Sequence, residues 1–368
     1  MQYREFGSTG VKVSALGWGL MRLPQDDAEA VRVIRHGLDL GINYLDTAPG
    51  YNNGWSERML GEAIQGYDRS KLYLSTKNPL HCNTGKGWRE RLEASLERMN
   101  TGHVDFYQVG HGLSWGAWED NFSKPGAGLD ETRRAIEEGL VRYPCLSCHD
   151  SPDNMIKLLD TGFFKGMTLQ YNLLDRNNEK AIEFALEHGL GIVVMGPVAG
   201  GRLGTASEQI SGMIGGGAST PEIALRFVLA NPGVSTAISG MNTIEMVEEN
   251  VAAASRPEPL SEAEKQAIAQ ALEENRKLAE LYCTGCNYCM PCPNGVGIPE
   301  NFRLMNQHKV WGLTGLAKHG YRHLGPEHRE KWLPASECVE CGECEPKCPQ
   351  NIPIIEQLKE TAAALGGE

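Results

Sequence analysis

Between Ala15 and about residue 254, short apolar runs alternate with segments of helical period, eight times over. The runs fall at 15–19, 42–46, 72–76, 104–109, 141–147, 167–170, 191–195 and 235–239. Helical periodicity fills the intervals, at about 27–40, 56–65, 86–99, 127–138, 151–160, 178–188, 219–230 and 243–254. In the first of these, Ala30, Val31, Val33, Ile34 and Leu38 share one face and Gly41 ends the pattern. Runs such as Ile192-Val-Val-Met195 are apolar throughout, as strands buried on both faces must be. Strand–helix alternation of this kind predicts a parallel sheet, and eight units can close it into a (β/α)8 TIM barrel of about 250 residues. A doubly wound open sheet is the competing architecture, but no GxGxxG follows an early strand. The opening Tyr3 to Ser14, with Gly-Ser-Thr-Gly at its turn, reads as a hairpin capping one end.

In such a barrel, chemistry sits where strands end. Asn43-Tyr-Leu-Asp46 brings Asp46 to the C-terminal end of its strand, and Thr-Ala-Pro-Gly turns into Tyr51. Lys71-Leu-Tyr-Leu-Ser-Thr-Lys77 ends the next strand in a lysine. A buried lysine requires a counter-charge, which Asp46 supplies. The ammonium then favours the phenolate of Tyr51 and makes it a proton donor usable near neutral pH. Ser147 and His149 follow the fifth strand, and Gln170-Tyr171-Asn172 the sixth. Gly196-Pro197-Val-Ala-Gly200-Gly201 follows the seventh, with small residues that let backbone approach a pyrophosphate. Gly240-Met-Asn242-Thr243 follows the eighth and opens a helix, where free amides favour an anion.

The motif NYLDTAPGY with Asp46 and Tyr51, LYLSTK with Lys77, and the opening GSTGVKVSALGWG resemble the aldo-keto reductase family over roughly Met1 to Arg256. The resemblance implies that Tyr51 protonates a carbonyl oxygen while NADP or NAD delivers hydride, supported by Asp46, Lys77 and a histidine. It also implies nicotinamide contacts at Ser147 and Gln170 and pyrophosphate contacts at Pro197 and Gly200. At the adenosine end it implies Gly240, Asn242, Glu249 and Asn250. Two departures matter. No cation stands at Gly240 or Met246 to neutralise a 2′-phosphate. The histidine expected five residues after the aspartate of the fourth strand arrives one late, as His111 after Asp105; a one-residue slip turns a strand side chain to the other face unless a bulge at Gly110 restores its aim. His103 lies at the wrong end of that strand.

After a linking helix at 261–281 the composition changes. Cys283, Cys286, Cys289 and Cys292 are followed by Cys338, Cys341, Cys344 and Cys348, the second set in the spacing Cys-x2-Cys-x2-Cys-x3-Cys-Pro. Three closely spaced thiolates and a fourth farther on can wrap a [4Fe–4S] cubane. Zinc in each set of four thiolates is the alternative. Both runs end in similar Pro- and Ile-containing tails, which reads as an internal duplication resembling the two-cluster bacterial ferredoxin module. That resemblance assigns Cys283, Cys286, Cys289 and Cys348 to one cluster, and Cys338, Cys341, Cys344 and Cys292 to the other. The domain reading is thus a barrel at 1–260, the linking helix, and a ferredoxin-like domain at 282–368.

A net charge of −12 argues against nucleic acid or an anionic membrane as partner. No apolar run approaches the ~18 residues of a membrane span, and no signal-peptide core opens the chain. With eleven cysteines, this points to a cytoplasmic protein that uses its thiols for metal or redox chemistry. Cys145 and Cys148 have the spacing of a redox or metal pair near the mouth, and Cys82 follows the Lys77 strand; buried, unreactive thiols are the plainer reading.

Nicotinamide passes two electrons as hydride and a cluster passes one. Three functions therefore stay open: an oxidoreductase acting on a carbonyl/alcohol pair; an electron-transfer protein serving ferredoxin or another redox partner, with the barrel as scaffold; and a flavin-bearing reductase joining both. Substrate choice falls to loops, chiefly Trp115-Gly-Ala-Trp118 to Pro125.

Overall fold

The computed structural model describes every residue except 80–83, 174, 200–202, 204–211, 213–217, 257–259, 281–282, 284–288, 326, 328–331, 349–351 and 368, and the backbone alone of 271–272 and 274–280. Cys82, Gly200 and Cys286 lie outside the described residues. The chain divides into two compact units, Met1–Gly201 with Ala224–Leu260, and Arg202–Ile223 with Ser261–Glu368.

In the first unit an antiparallel hairpin, β1 (Tyr3–Glu5) and β2 (Lys12–Ser14), precedes eight strands: β3 (Leu16–Gly19), β4 (Tyr44–Asp46), β5 (Tyr73–Pro79), β6 (Val104–His111), β7 (Val141–Ser147), β8 (Gly166–Gln170), β9 (Gly191–Met195) and β10 (Thr236–Ser239). All eight pair in parallel, and β10 pairs β3 to close the barrel. Helices follow the strands: α1 (Asp27–Asp39), α2 (Trp55–Ala63), α3 (Gly85–Arg98), α4 (Gly128–Glu137), α5 (Pro152–Asp160), α6 (Glu179–Glu187), α7 (Thr220–Leu229) and α8 (Ile244–Ser255). Several starts are written locally. Asp26, Thr84, Ser151 and Thr243 each accept a backbone amide of the first turn.

The apolar core lies between strands and helices, with Trp18, Ile34, Leu60 and Met241 on one side and Leu92, Tyr107, Leu158 and Ile192 on the other. The N-terminal end of the barrel is plugged. Phe6 from the hairpin turn stacks 4.2 Å from Phe106, whose ring also meets Tyr44 and Tyr143. A ring this buried is worth roughly 2–3 kcal/mol. Closing that end leaves the C-terminal ends of the strands as the open mouth.

The second unit is helical: α9 (Glu262–Glu280), α10 (Ile298–Lys309), α11 (Thr314–Arg322) and α12 (Ile354–Leu365). Phe302, Leu304, Tyr321, Leu358 and Leu365 form its small core, and Cys283, Cys292, Cys338, Cys344 and Cys348 border it. Among the described residues no helix is long and apolar enough to cross a membrane.

Candidate active site and cysteine pocket

At the mouth, β4 ends in Asp46 and β5 carries Lys77. Both are buried: Lys77 is 3% exposed and Asp46 1%. The ammonium donates to Asp46 Oδ2 at 2.5 Å and to the Thr47 carbonyl at 2.7 Å. Burial pushes the Lys77 ammonium down, but Asp46 and then Tyr51 outweigh it and hold its pKa above the ordinary lysine value. Its Nζ lies 4.9 Å from the centre of the Tyr51 ring.

The loop that presents Tyr51 is held from several sides. Asn52, Asn53 and Gly54 all take positive φ, at 47°, 53° and 78°. Asparagine tolerates this region and glycine occupies it freely. A side chain on Gly54 would also strike Arg98, whose Cδ lies 2.7 Å from the Cβ position. Arg98 in turn donates to the buried Glu57 at 2.5 Å, and Glu57 accepts from Thr76 on β5. Behind Asp46 runs a buried polar chain. Ser75 donates to Asp46 Oδ1 at 2.9 Å, and Gln108 donates to Thr168 at 2.8 Å and weakly to Ser75 at 3.3 Å. Neither the Glu57–Arg98 pair nor this chain was read from the sequence, because both join residues remote along the chain.

His111 pairs with Pro79 on one side and Ser147 on the other, and the register shifts between Gln108 and His111. That irregularity lies where the sequence needed one. The residue keeps an exposed edge. Partial desolvation lowers its pKa; Lys77 and then His149 lower it further, and Asp46 opposes them. His111 thus lies within electrostatic reach of both charged residues of the mouth.

The neighbouring strand ends carry the other candidates. Ser147 is fully buried and its hydroxyl has no hydrogen-bond partner among the described residues. Gln170 lies against Gly196: a Cβ there, at φ +64°, would come 3.0 Å from Gln170 Oε1. Asn172 donates to the Gly196 carbonyl at 3.1 Å, and Pro197 is buried beside it. An unpartnered buried hydroxyl and a cradle that a side chain would fill are what a bound nicotinamide nucleotide would need. Gly240 and Asn242 are exposed after β10. Glu249 and Asn250 diverge, as successive helix residues do: Asn250 is buried and donates to Ser239 at 3.2 Å, while Glu249 faces solvent. One cation escaped the sequence reading. Exposed Arg22, from the turn after β3, has its Cβ and Cδ 3.7 Å from the Cβ position on Gly240. Only closure of β10 against β3 brings the two together.

Cys145 and Cys148 are buried thiols. Burial raises both, Cys148 to about 11, and Cys148 donates to the Leu113 carbonyl. Neither is a reactive thiolate at neutral pH. In the second unit Cys289, Cys292, Cys338, Cys341 and Cys344 line one pocket. Thiols are the ligands an iron–sulfur centre takes, although among the described residues no three His, Cys, Asp or Glu side chains are grouped closely enough to hold a single metal ion.

A model of the Aldo/keto reductase family matches residues 15–273. The chain belongs to the aldo/keto reductase family. A model of the 4Fe-4S dicluster domain matches residues 282–352. The protein is therefore an oxidoreductase of that family with an iron–sulfur domain at its C-terminus. The uncharacterized oxidoreductase YqkF of Bacillus subtilis is 30% identical over 292 residues, covering 69% of this chain and 91% of its own. L-galactose dehydrogenase of Arabidopsis thaliana is 25% identical over 293 residues, covering 71% and 90%. Among solved structures, the aldo-keto reductase AKR11C1 of Bacillus halodurans, in its holo form, superposes with a TM-score of 0.65 at 29% identity, covering 74% of this chain and 96% of that one.

Proposed function

We propose that this aldo/keto reductase transfers hydride between NADP or NAD and a small carbonyl/alcohol substrate, with Tyr51 as the proton donor and acceptor. The observation that carries the reading is the buried Lys77 ammonium lodged between Asp46 and Tyr51. A bound nicotinamide supplies the hydride. Tyr51 gives its phenolic proton to the carbonyl oxygen, and Lys77 stabilises the phenolate left behind. Asp46 keeps Lys77 charged and aimed. His111 orients the carbonyl, its pKa lowered by desolvation and then by Lys77. Holding the carbonyl between proton donor and hydride supplies proximity and charge stabilisation together.

Ser147 and Gln170 would hold the nicotinamide end, Gly196, Pro197 and Gly200 the pyrophosphate. Gly240, Asn242 and Asn250 would hold the adenosine end, with Glu249 at its edge. Arg22 beside Gly240 adds a cation toward a 2′-phosphate, which favours NADP. In the second unit the eight cysteines would hold two [4Fe–4S] clusters, Cys283, Cys286, Cys289 and Cys348 one, and Cys338, Cys341, Cys344 and Cys292 the other. Cys292 lines one pocket with Cys338, Cys341 and Cys344, and Cys289 of the other set lines it too. Because hydride and single electrons do not interconvert directly, the clusters serve a separate step, with a ferredoxin or similar redox protein as partner.

The test is Tyr51→Phe, which removes the proton and keeps the ring. It lowers kcat by roughly 10²–10⁴; near-normal turnover would remove Tyr51 from the mechanism. A visible spectrum of anaerobically purified protein, with and without NADH and NADPH, reports clusters and cofactor preference. A flavin band surviving cluster removal would replace direct hydride transfer with a flavin-mediated route.

A further inference from the structure

The side chain of Asn294 belongs to the first cysteine run, two residues beyond Cys292, yet its amide nitrogen lies 3.8 Å from the sulfur of Cys341 in the second run, in donor geometry. It also lines the pocket formed by Cys292, Cys338, Cys341 and Cys344. The segment is held in place by backbone. Gly295 and Gly297 exchange hydrogen bonds with Leu333, and the Val296–Leu333 bridge runs between them. Fully buried Asn301 ties the same strip together, donating to the carbonyls of Gly297 and Leu333 and accepting from Ala335, three residues before Cys338. On the other side the loop from Cys338 to Cys344 turns through positive φ at Glu340 and Gly342, at 59° and 76°, which wraps it around the pocket. Cys341 is the exposed member of its run, and Lys347 and Glu343 are the charged side chains on the pocket wall.

We propose that Asn294 is a positioning residue that raises the reduction potential of the cluster bound by Cys338, Cys341, Cys344 and Cys292. The inference rests on the cluster reading given above. One-electron reduction adds a negative charge that the ligand sulfurs share. An N–H donor aimed at one of those sulfurs stabilises the reduced form more than the oxidised form, and hydrogen bonds to sulfur are among the levers that set cluster potentials. Cys341 is exposed, so the donor adds to whatever water supplies at that sulfur.

The experiment is a redox titration of the anaerobic holoprotein, followed by electron paramagnetic resonance, for the wild type, Asn294→Ala and Asn294→Asp. Asn294→Ala removes the donor. It moves one of the two cluster signals to more negative potential, by about three- to tenfold in the ratio of oxidised to reduced cluster, 59 mV at the upper end for a one-electron couple. Asn294→Asp removes the donor at nearly constant shape and adds a negative charge, so it moves the same signal farther in the same direction. Unchanged midpoints in both variants overturn the proposal, as does an equal displacement of both signals. Loss of iron and sulfide from both variants also overturns it, because Asn294 would then hold the fold and not the potential. A wild type without any reversible one-electron signal defeats the cluster reading itself, an outcome separate from these.

Discussion

Two of the barrel's buried carboxylates lie at opposite ends, Asp46 at the mouth and Asp105 at the base, exposed by 1% and 0% respectively. Asp105 receives Arg69 at 2.7 Å, Arg142 at 2.9 Å and the Leu74 amide at 3.0 Å. Its guanidinium partners extend into solvent, with side chains 24% and 47% exposed. Among the described residues Asp46 has a single cationic partner, Lys77, which is buried like itself. At the base, charge is neutralised in excess and the donors can turn to water. At the mouth, one ammonium is confined with one carboxylate, one phenol and the Thr47 carbonyl. The first arrangement holds strands together. The second keeps a field concentrated where a substrate oxygen would enter.

The comparison breaks most visibly at Asp46. Asp46→Asn leaves the Lys77 ammonium buried without a counter-charge, which costs about 3–5 kcal/mol for a pair of this kind. The same change should lower turnover, because a lysine that escapes by losing its proton no longer stabilises the Tyr51 phenolate. Urea unfolding and steady-state kinetics on one preparation measure both. A variant that kept wild-type stability would show the pair to be far better hydrated than its burial indicates.

Asp105→Asn sharpens the contrast with a smaller effect. Arg69 and Arg142 can rehydrate, so the loss falls to roughly 1–3 kcal/mol, the penalty for hydrogen bonds left unmade at a buried site. Turnover per folded molecule stays at the wild-type value. Burial raises the Asp105 carboxyl, but His103 and Arg69 outweigh it and hold the group below the usual aspartate range. Its contribution is therefore present above the unfolded pKa of about 3.9 and lost as pH falls through the lower folded value. Acid unfolding curves for wild type and variant should begin to converge as pH falls below about 4. A variant stable to neutral pH but with impaired turnover would place Asp105 in the chemistry and not the scaffold.

What was legible in the sequence follows from how local the cause is. Strands such as Ile192-Val-Val-Met195 are apolar on both faces, and that alone announces a parallel sheet inside a ring of helices. The cysteine runs are legible because cluster ligands need fixed short spacing. Asp46, Lys77 and Tyr51 were readable as strand-end residues with matching chemistry. The rest depends on closure. Arg22 meets Gly240 only because β10 pairs β3. Glu57 finds Arg98 across two helices. Asn294 reaches Cys341 across 47 positions of sequence. The aim of His111 rests on a register shift against two partner strands at once, which no pattern within β6 reveals.

His111 gives the smallest and most specific test of the mouth. Its pKa is lowered by desolvation, then by Lys77 and His149, whereas an unfolded histidine titrates near 6.5. As pH falls from about 7, the unfolded chain takes up its proton first, and stability declines until pH passes the lower folded value. Histidines elsewhere contribute equally to wild type and His111→Gln, so the difference between their urea midpoints at pH 7.5 and 5.5 isolates this one. The wild type should lose more on acidification, by well under ~1 kcal/mol because the ring keeps an exposed edge. Equal losses would mean that the ring points away from Lys77 despite the register shift. The mouth would then act through Tyr51, Lys77 and Asp46 alone.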